Sequence, residues 1–341
     1  MKIDGLSICG LSLTDVLSKP TLPSGYGQIY FQGGVLYYED PDAVLFTIDI
    51  NEHMSDRGCF FGGYNPLQTP AYKNGIEYIT ISVLGVSGTF GDMSVVRHNV
   101  LNSGIASLTR GIMAGGKTSS TTYTDSIDYI TIATIGNATD FGDLTATRSY
   151  LCSVCNKITG IFISGLSDKG IDYITIATAG NATDGGTYEP NNASVVYDGE
   201  TFSTPSYGLY FSGYQNVNWS CVFPFYAPGA YSLWGELTDN VYGYGSVSNG
   251  VIGVAVGKNM KYWNLIAFSQ QSDFGTLPTN AMRTALCSLT RFVTNYSADV
   301  DSPVGTNLYC HFATKGQCND FGATGLIMDA GAFSGAHGGL I

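Results

Sequence analysis

The chain has 341 residues, of which 44 are Gly and 23 Tyr, with 12% charged residues and a formal net charge of −12. Lys and Arg total 15 with no basic run among them, which argues against a nucleic-acid partner. No stretch approaches the roughly 18 apolar residues of a membrane span, and the Met-Lys-Ile opening lacks the apolar region of a secretory signal. Membrane insertion is therefore not expected, and the chain is expected to fold in a reducing cytoplasm.

The predicted elements are short strands punctuated by glycine. Ile3-Asp4-Gly5-Leu6-Ser7-Ile8 reads as the first, and Ile29-Tyr30-Phe31-Gln32-Gly33 as the following strand. Apolar runs closed by Gly then recur at Gly58–Gly63, Gly111–Gly116, Gly160–Gly165 and Gly208–Gly213, with a weaker one at Gly253–Gly257. A second strand type is Ile127-Asp128-Tyr129-Ile130-Thr131-Ile132, whose wider segment, Ile127 to Asp140, returns almost unchanged as Ile171 to Asp184, 44 residues on. A third is an aromatic-Gly pair just after a turn, at Phe90-Gly91, Phe141-Gly142, Trp234-Gly235, Phe274-Gly275 and Phe321-Gly322, with Gly185-Gly186 in the third repeat. A further apolar strand, such as Tyr150 to Val154, precedes each new Gly run.

Four short strands in a unit of about 40–50 residues are the signature of a propeller blade. The Trp-Asp signal of WD40 repeats is absent, and the double glycine followed by aromatic strands resembles the kelch pattern. The expected fold is an all-β, kelch-like β-propeller occupying residues 1–341 as a single domain. Six units are clear, and about 49 residues per blade would make seven. Ile3–Ile8 aligns with the repeated strand, and Gly325–Gly331 would supply the missing inner strand, so both termini would share the closing blade and leave no open edge. The alternative is six blades, with residues 1–56 as an attachment arm.

Several motifs imitate chemistry. Gly111 to Thr118 matches a phosphate-binding loop in letters, but Ser119-Ser120-Thr121-Thr122 is a poor start for the helix that loop needs. Asp140-Phe141-Gly142 and Asp273-Phe274-Gly275 copy a kinase trio without the rest of its signature. Cys152 and Cys155 form a lone pair of zinc-type spacing with no second pair, and in a strand they would point to opposite faces. The eight cysteines sit largely in apolar strands and are expected to be mostly free, buried and metal-free. His53, His98, His311 and His337 form no triad or metal-ligand spacing. Arg97, Arg148 and Arg283 follow the aromatic-Gly signal, Arg57, Arg110 and Arg291 precede the Gly-run strands, and Glu77, Asp128 and Asp172 share one strand position. These charges are expected to form structural pairs between strands. Asn137 and Asn181 open formal glycosylation triplets and read as turn residues.

The wording Ile-Asp-Tyr-Ile-Thr-Ile-Ala-Thr-x-Gly-Asn-Ala-Thr-Asp-Phe-Gly-Asp-Leu-Thr, with Arg-Gly-Ile-Met-Ala-Gly-Gly, resembles kelch-like repeats in virion structural proteins of tailed bacteriophages. The match is close over residues 110–184, recognisable over 57–109, and reduced to pattern over 207–341. The resemblance implies a non-enzymatic virion component: a tail fibre or tip, or a head or tail decoration. It would be assembled in the host cytoplasm as part of a multimeric particle. Its partners would be other virion proteins and a host-surface glycan or protein, with no cofactor. Loops between the Gly run and the next strand are the expected binding elements, with Tyr64, Tyr72, Tyr123, Tyr214 and Trp219 as candidate contacts. The alternatives are a polysaccharide-degrading or oxidising propeller enzyme, which needs clustered carboxylates or metal ligands at the central channel, and an intracellular kelch-type adaptor, which needs a second interaction domain.

Overall fold

The computed structural model describes residues 28–32, 35–39, 45–48, 56–65, 69–166, 168–189, 197–211, 219–236, 245–257, 259–267, 271–277, 284–296, 305–316, 318–324 and 330–334. The chain divides into two compact units, Met1–His53 and Met54–Ile341. The first contains an antiparallel sheet of Gln28–Gln32, Val35–Glu39 and Leu45–Ile48. Its first strand covers the expected element from Ile29 to Gln32, whereas Gly33 and Ile3–Ile8 lie outside the described residues.

The second unit is a six-bladed β-propeller. Each blade is an antiparallel sheet whose strands are named a to d from the axis outward. Blade 1 combines Gly331–Ser334 (a) with Arg57–Phe61 (b), Gly75–Thr80 (c) and Gly88–Asp92 (d). Blade 2 is Gly104–Ala106, Arg110–Ala114, Ser126–Thr131 and Thr139–Asp143. Blade 3 is Cys152–Cys155, Thr159–Ile163, Gly170–Thr175 and Thr183–Thr187. Blade 4 is Glu200–Ser203, Tyr207–Phe211, Trp219–Pro224 and Ser232–Glu236. Blade 5 is Gly245–Ser248, Ile252–Val256, Asn259–Asn264 and Ser272–Thr276, and blade 6 is Thr284–Cys287, Arg291–Tyr296, Gly305–His311 and Asn319–Thr324. Among the described residues the only helical element is a 3-10 turn at Leu101–Ser103.

Six blades, the alternative count, replace the seven expected from chain length. The a strands neighbour one another in blade order, and that of blade 1 also touches those of blades 6 and 2, so the ring closes on six. Closure uses Gly331–Ser334, a few residues beyond the expected Gly325–Gly331, and its partner is Arg57–Phe61. The four residues Gly-Ala-Phe-Ser carry no pattern that distinguishes an inner strand, and their pairing spans nearly the whole unit.

Six separate cores lie between successive blades. Neighbouring residues of a b strand point to opposite faces, so each blade feeds two cores. Phe60 enters the core shared with blade 6, and Phe61 the core shared with blade 2. Met113 and Ile112 repeat this in blade 2. Burial on both faces explains why the b strands read as continuous apolar runs instead of alternating ones.

The repeated turn Gly-Asn-Ala-Thr is a seam between blades. The Gly136 amide donates to the Phe90 carbonyl (3.0 Å) and Ala138 to Asp92 (2.8 Å), while the Asn137 side chain accepts from the Asp92 amide at 3.0 Å. One blade on, Gly180 donates to Phe141, Ala182 to Asp143, and Asn181 accepts from Asp143. The ring closes on the same terms, with Gly85 donating to Phe321 and Ser87 to Ala323. The two Asn residues thus act as turn residues, as expected.

The cysteines are mostly as expected. Cys59, Cys152, Cys155, Cys221 and Cys287 are free and buried, but Cys310 and Cys318 form a disulfide joining strand c of blade 6 to the entry of strand d. Cys9 lies outside the described residues. Cys152 and Cys155 face different cores, one toward blade 4 and the other toward blade 2, so the two thiols cannot chelate one ion.

Candidate functional site

The bend that closes the b strand, a double glycine in blades 1 and 2 and Ser164-Gly165 in blade 3, builds one face of the ring. Gly62 and Gly63 have φ of +65° and +106°, and Gly115 and Gly116 have +60° and +111°. These values belong to the region where a β-carbon is unfavourable. The chain that leaves strand d passes directly over this bend. Gly63 donates to the Arg97 carbonyl, Lys73 to Gly63, and Arg97 to Lys73, at 2.9, 3.0 and 3.1 Å. Blade 2 repeats the cycle with Gly116, Thr124 and Arg148. The letters of a phosphate-binding loop at Gly111–Thr118 are therefore a strand end and a bend, and a hairpin follows instead of a helix.

Buried ion pairs lock the same junctions. Arg97 is fully buried and its Nη2 donates to Asp128 of the next blade at 2.7 Å. It also donates to the carbonyls of Met113 (3.2 Å) and Ser126 (2.9 Å), and Asp128 accepts from the Ser94 amide and hydroxyl. Arg148 pairs likewise with Asp172, which accepts from Thr145, and it also meets Asp168 at 2.8 Å. Arg57, Arg110 and Arg291 behave differently from the expected charge pairs. Their guanidinium groups stack over Tyr78, Tyr129 and Tyr309 of the adjacent strand at 4.7, 4.3 and 5.2 Å from the ring centroids. Arg57 and Arg110 also donate to the Ile132 and Ile176 carbonyls of the next blade. Arg283 lies outside the described residues.

On this scaffold the structure gathers three of the five candidate contacts. Tyr64 and Tyr72 face each other across the b–c hairpin of blade 1, with ring centroids 5.4 Å apart. His98, on the link from blade 1 to blade 2, stacks on Tyr72 at 4.5 Å and lies 6.1 Å from Tyr64. The backbones of His98 and Lys117 are paired, and His98 Nδ1 lies 3.0 Å from the Lys117 carbonyl oxygen. Lys117 in turn bridges Tyr123 across the b–c hairpin of blade 2, its ammonium 4.9 Å from the ring centroid. Burial is the main force holding the His98 imidazole below the usual histidine range. The Lys117 charge adds to it, against the hydrogen bond to the Lys117 carbonyl.

The other two candidates do not join this cluster. Trp219 begins strand c of blade 4 and pairs with Glu236, and Tyr214 lies outside the described residues. His98 and Lys117 escaped the sequence reading, because each gains its role only when two blades meet. Their signal is variation: the bridge that pairs His98 with Lys117 pairs Ser149 with Leu166 one blade later.

The axis is occupied differently. Hydroxyl and thiol groups of the a strands bond to the backbone of neighbouring a strands, as Ser248 does to Ser203 and Cys287 to Ser248. A small pocket there is lined by Asn102, Thr201, Ser246, Thr284 and apolar neighbours. No group of three or more His, Cys, Asp or Glu residues suited to a metal ion occurs among the described residues. A comparison with known protein families finds no family model that matches the chain, and a comparison with curated proteins finds no match.

Proposed function

We propose that this chain is a non-enzymatic structural protein of a bacteriophage particle, a tail fibre or tip or a decoration of head or tail, which works by surface contact. One observation carries this reading: a division between residues that repeat and residues that do not. The repeated glycines, asparagines, arginines and aspartates are spent on seams between blades. The residues that vary at the same backbone positions, Tyr64 and Lys117 among them, collect on the b–c loop face. A scaffold that repeats beneath a surface that varies suits recognition better than turnover. The likeness of residues 110–184 to kelch-like virion repeats supplies the class of particle. In this reading the partners are other virion proteins and a host-surface glycan or protein.

Mass spectrometry of purified particles tests the proposal, with immuno-electron microscopy to place the chain on the particle. The chain should be present at a fixed stoichiometry, and the isolated protein should leave host polysaccharide intact. Absence from particles, or hydrolysis or oxidation of host polysaccharide by the isolated chain, would overturn it.

A further inference from the structure

The Tyr64–Tyr123 cluster has a chemistry of its own. Among the described residues Lys169 and Lys261 are neutralised by Glu189 and Asp273, at 3.0 and 2.8 Å. Lys73 and Lys117 have no carboxylate partner there. The Lys73 ammonium donates to the Pro70 carbonyl at 2.7 Å, and that of Lys117 lies over Tyr123, so both keep donor capacity. Both belong to hairpins of the tyrosine–histidine stack, and the stretch from Tyr64 to Lys73 contains no acidic residue. In a chain of net charge −12, two unneutralised ammonium groups beside three half-buried tyrosines form a local reversal of sign.

Aromatic faces match the C–H faces of pyranose rings, and ammonium groups match carboxylates. The tyrosines are also held in place before any ligand arrives, by the Tyr64–Tyr72 bridge and by the His98 stack on Tyr72, so little side-chain freedom is lost on binding. We infer that Tyr64, Tyr72, Lys73, Lys117 and Tyr123 form a binding site for a carboxylate-bearing saccharide, with sugar rings on the tyrosines and the acid group on the lysines. This rests on the surface-contact reading above and names the class of ligand.

Titration of the full-length protein with polygalacturonate, neutral dextran and double-stranded DNA tests the inference, with binding followed by calorimetry. Saturable binding to polygalacturonate is expected, with none to dextran and none to DNA. Lys117→Gln should weaken it about tenfold, the scale of one charge-assisted hydrogen bond. Lys73→Gln should act similarly, and Tyr123→Ala should weaken binding more than Tyr123→Phe. Unchanged melting temperatures would show that the ring is intact in each variant. Lack of binding to polygalacturonate, equal binding to DNA, or wild-type affinity in the double lysine variant would overturn the inference. A chain present in particles that fails these tests keeps its structural role and loses the saccharide site. A chain that passes them and is absent from particles loses the virion assignment and keeps the site.

Discussion

Gly91 and Gly136 meet across the seam between blades 1 and 2, where a β-carbon on Gly91 would collide with the Gly136 carbonyl group. The same meeting recurs between Gly142 and Gly180, Gly275 and Gly316, and Gly322 and Gly85, the last closing the ring. The aromatic-Gly signal is thus two requirements in adjacent letters. Phe90, Phe141, Phe274 and Phe321 fill the cores between blades, and the glycine after each lets the next blade's turn approach.

Replacing Gly91 with Ala should therefore open the seam. The added carbon meets backbone instead of a yielding side chain, and the bond from Gly136 to Phe90 must lengthen. A loss of about 1–3 kcal/mol is expected, as for other overpacked sites. Gly136→Ala is the control, since nothing lies within 4 Å of a β-carbon there. Denaturant melts should separate the two variants; equal stabilities would count against the seam.

Breaking the Arg97–Asp128 pair should be costlier. Both side chains are fully buried, so Asp128→Asn leaves a guanidinium without its counter-charge and should cost about 3–5 kcal/mol. Arg97→Met with Asp128→Leu should recover part of the loss, because no buried charge remains. Recovery should stay incomplete, since Ser94 and the Met113 and Ser126 carbonyls lose their partners. A double-mutant cycle of unfolding free energies checks the order.

His98 should make the stability of the ring depend on pH. Its folded-state value lies below the ordinary 6.5, chiefly through burial. The unfolded chain therefore binds the proton more readily, and stability rises with pH in this window. The contribution of the neutral ring is complete above about 6.5 and is lost as pH falls from there toward the folded-state value. The melting temperature of the wild type should consequently fall more between pH 7 and 5 than that of His98→Gln. Parallel pH profiles would show that the ring is not buried as described.

Much of this architecture was legible in the sequence, and the limits have physical causes. The Gly-Gly bends and aromatic-Gly seams are legible because a positive φ or a close backbone approach favours glycine there, although Ser164 takes the first bend position in blade 3. One period therefore survives where Ile, Tyr and Val positions drift. Six units were legible, but the choice between six and seven blades was not, because closure depends on pairing Gly331–Ser334 with Arg57–Phe61, which no local pattern encodes. The Cys310–Cys318 disulfide was missed because Cys310 sits in an apolar strand like the free thiols. Within the candidate site, Tyr64, Tyr72 and Tyr123 followed from loop position. Lys73, His98 and Lys117 did not, since their significance lies in contacts between hairpins.

The free thiols should be unreactive in the folded protein. Burial pushes Cys59, Cys155 and Cys287 up to about 12 and Cys221 to about 11, and raises Cys152 as well. Thiolate, the reactive form, is then negligible at neutral pH. Alkylation followed by peptide mapping should find these five unmodified in the native state and modified after denaturation. Native labelling of Cys152 or Cys155 would contradict their placement between blades.

The last residue of each a strand supports a sharper test of how the ring holds its axis. An inner strand presents an edge of backbone groups that the b strand does not pair, and an unpaired edge is costly when buried. Around the ring this position is Ala106, Cys155, Ser203, Ser248, Cys287 and Ser334. Four of these side chains donate to the carbonyl of the equivalent residue one blade earlier: Cys155 to Ala106 (3.3 Å), Ser248 to Ser203 (2.9 Å), Cys287 to Ser248 (3.2 Å) and Ser334 to Cys287 (2.5 Å). The Ser248 hydroxyl also accepts from the Ser203 amide at 3.1 Å, so it serves both backbone groups of one neighbour. Ser248→Ala should leave those groups unsatisfied and cost about 1–3 kcal/mol. Ser248→Cys should cost less, because a thiol already fills this role at Cys155 and Cys287. Unfolding free energies in the order wild type, Ser248→Cys, Ser248→Ala would support the belt, and an alanine variant as stable as the wild type would refute it.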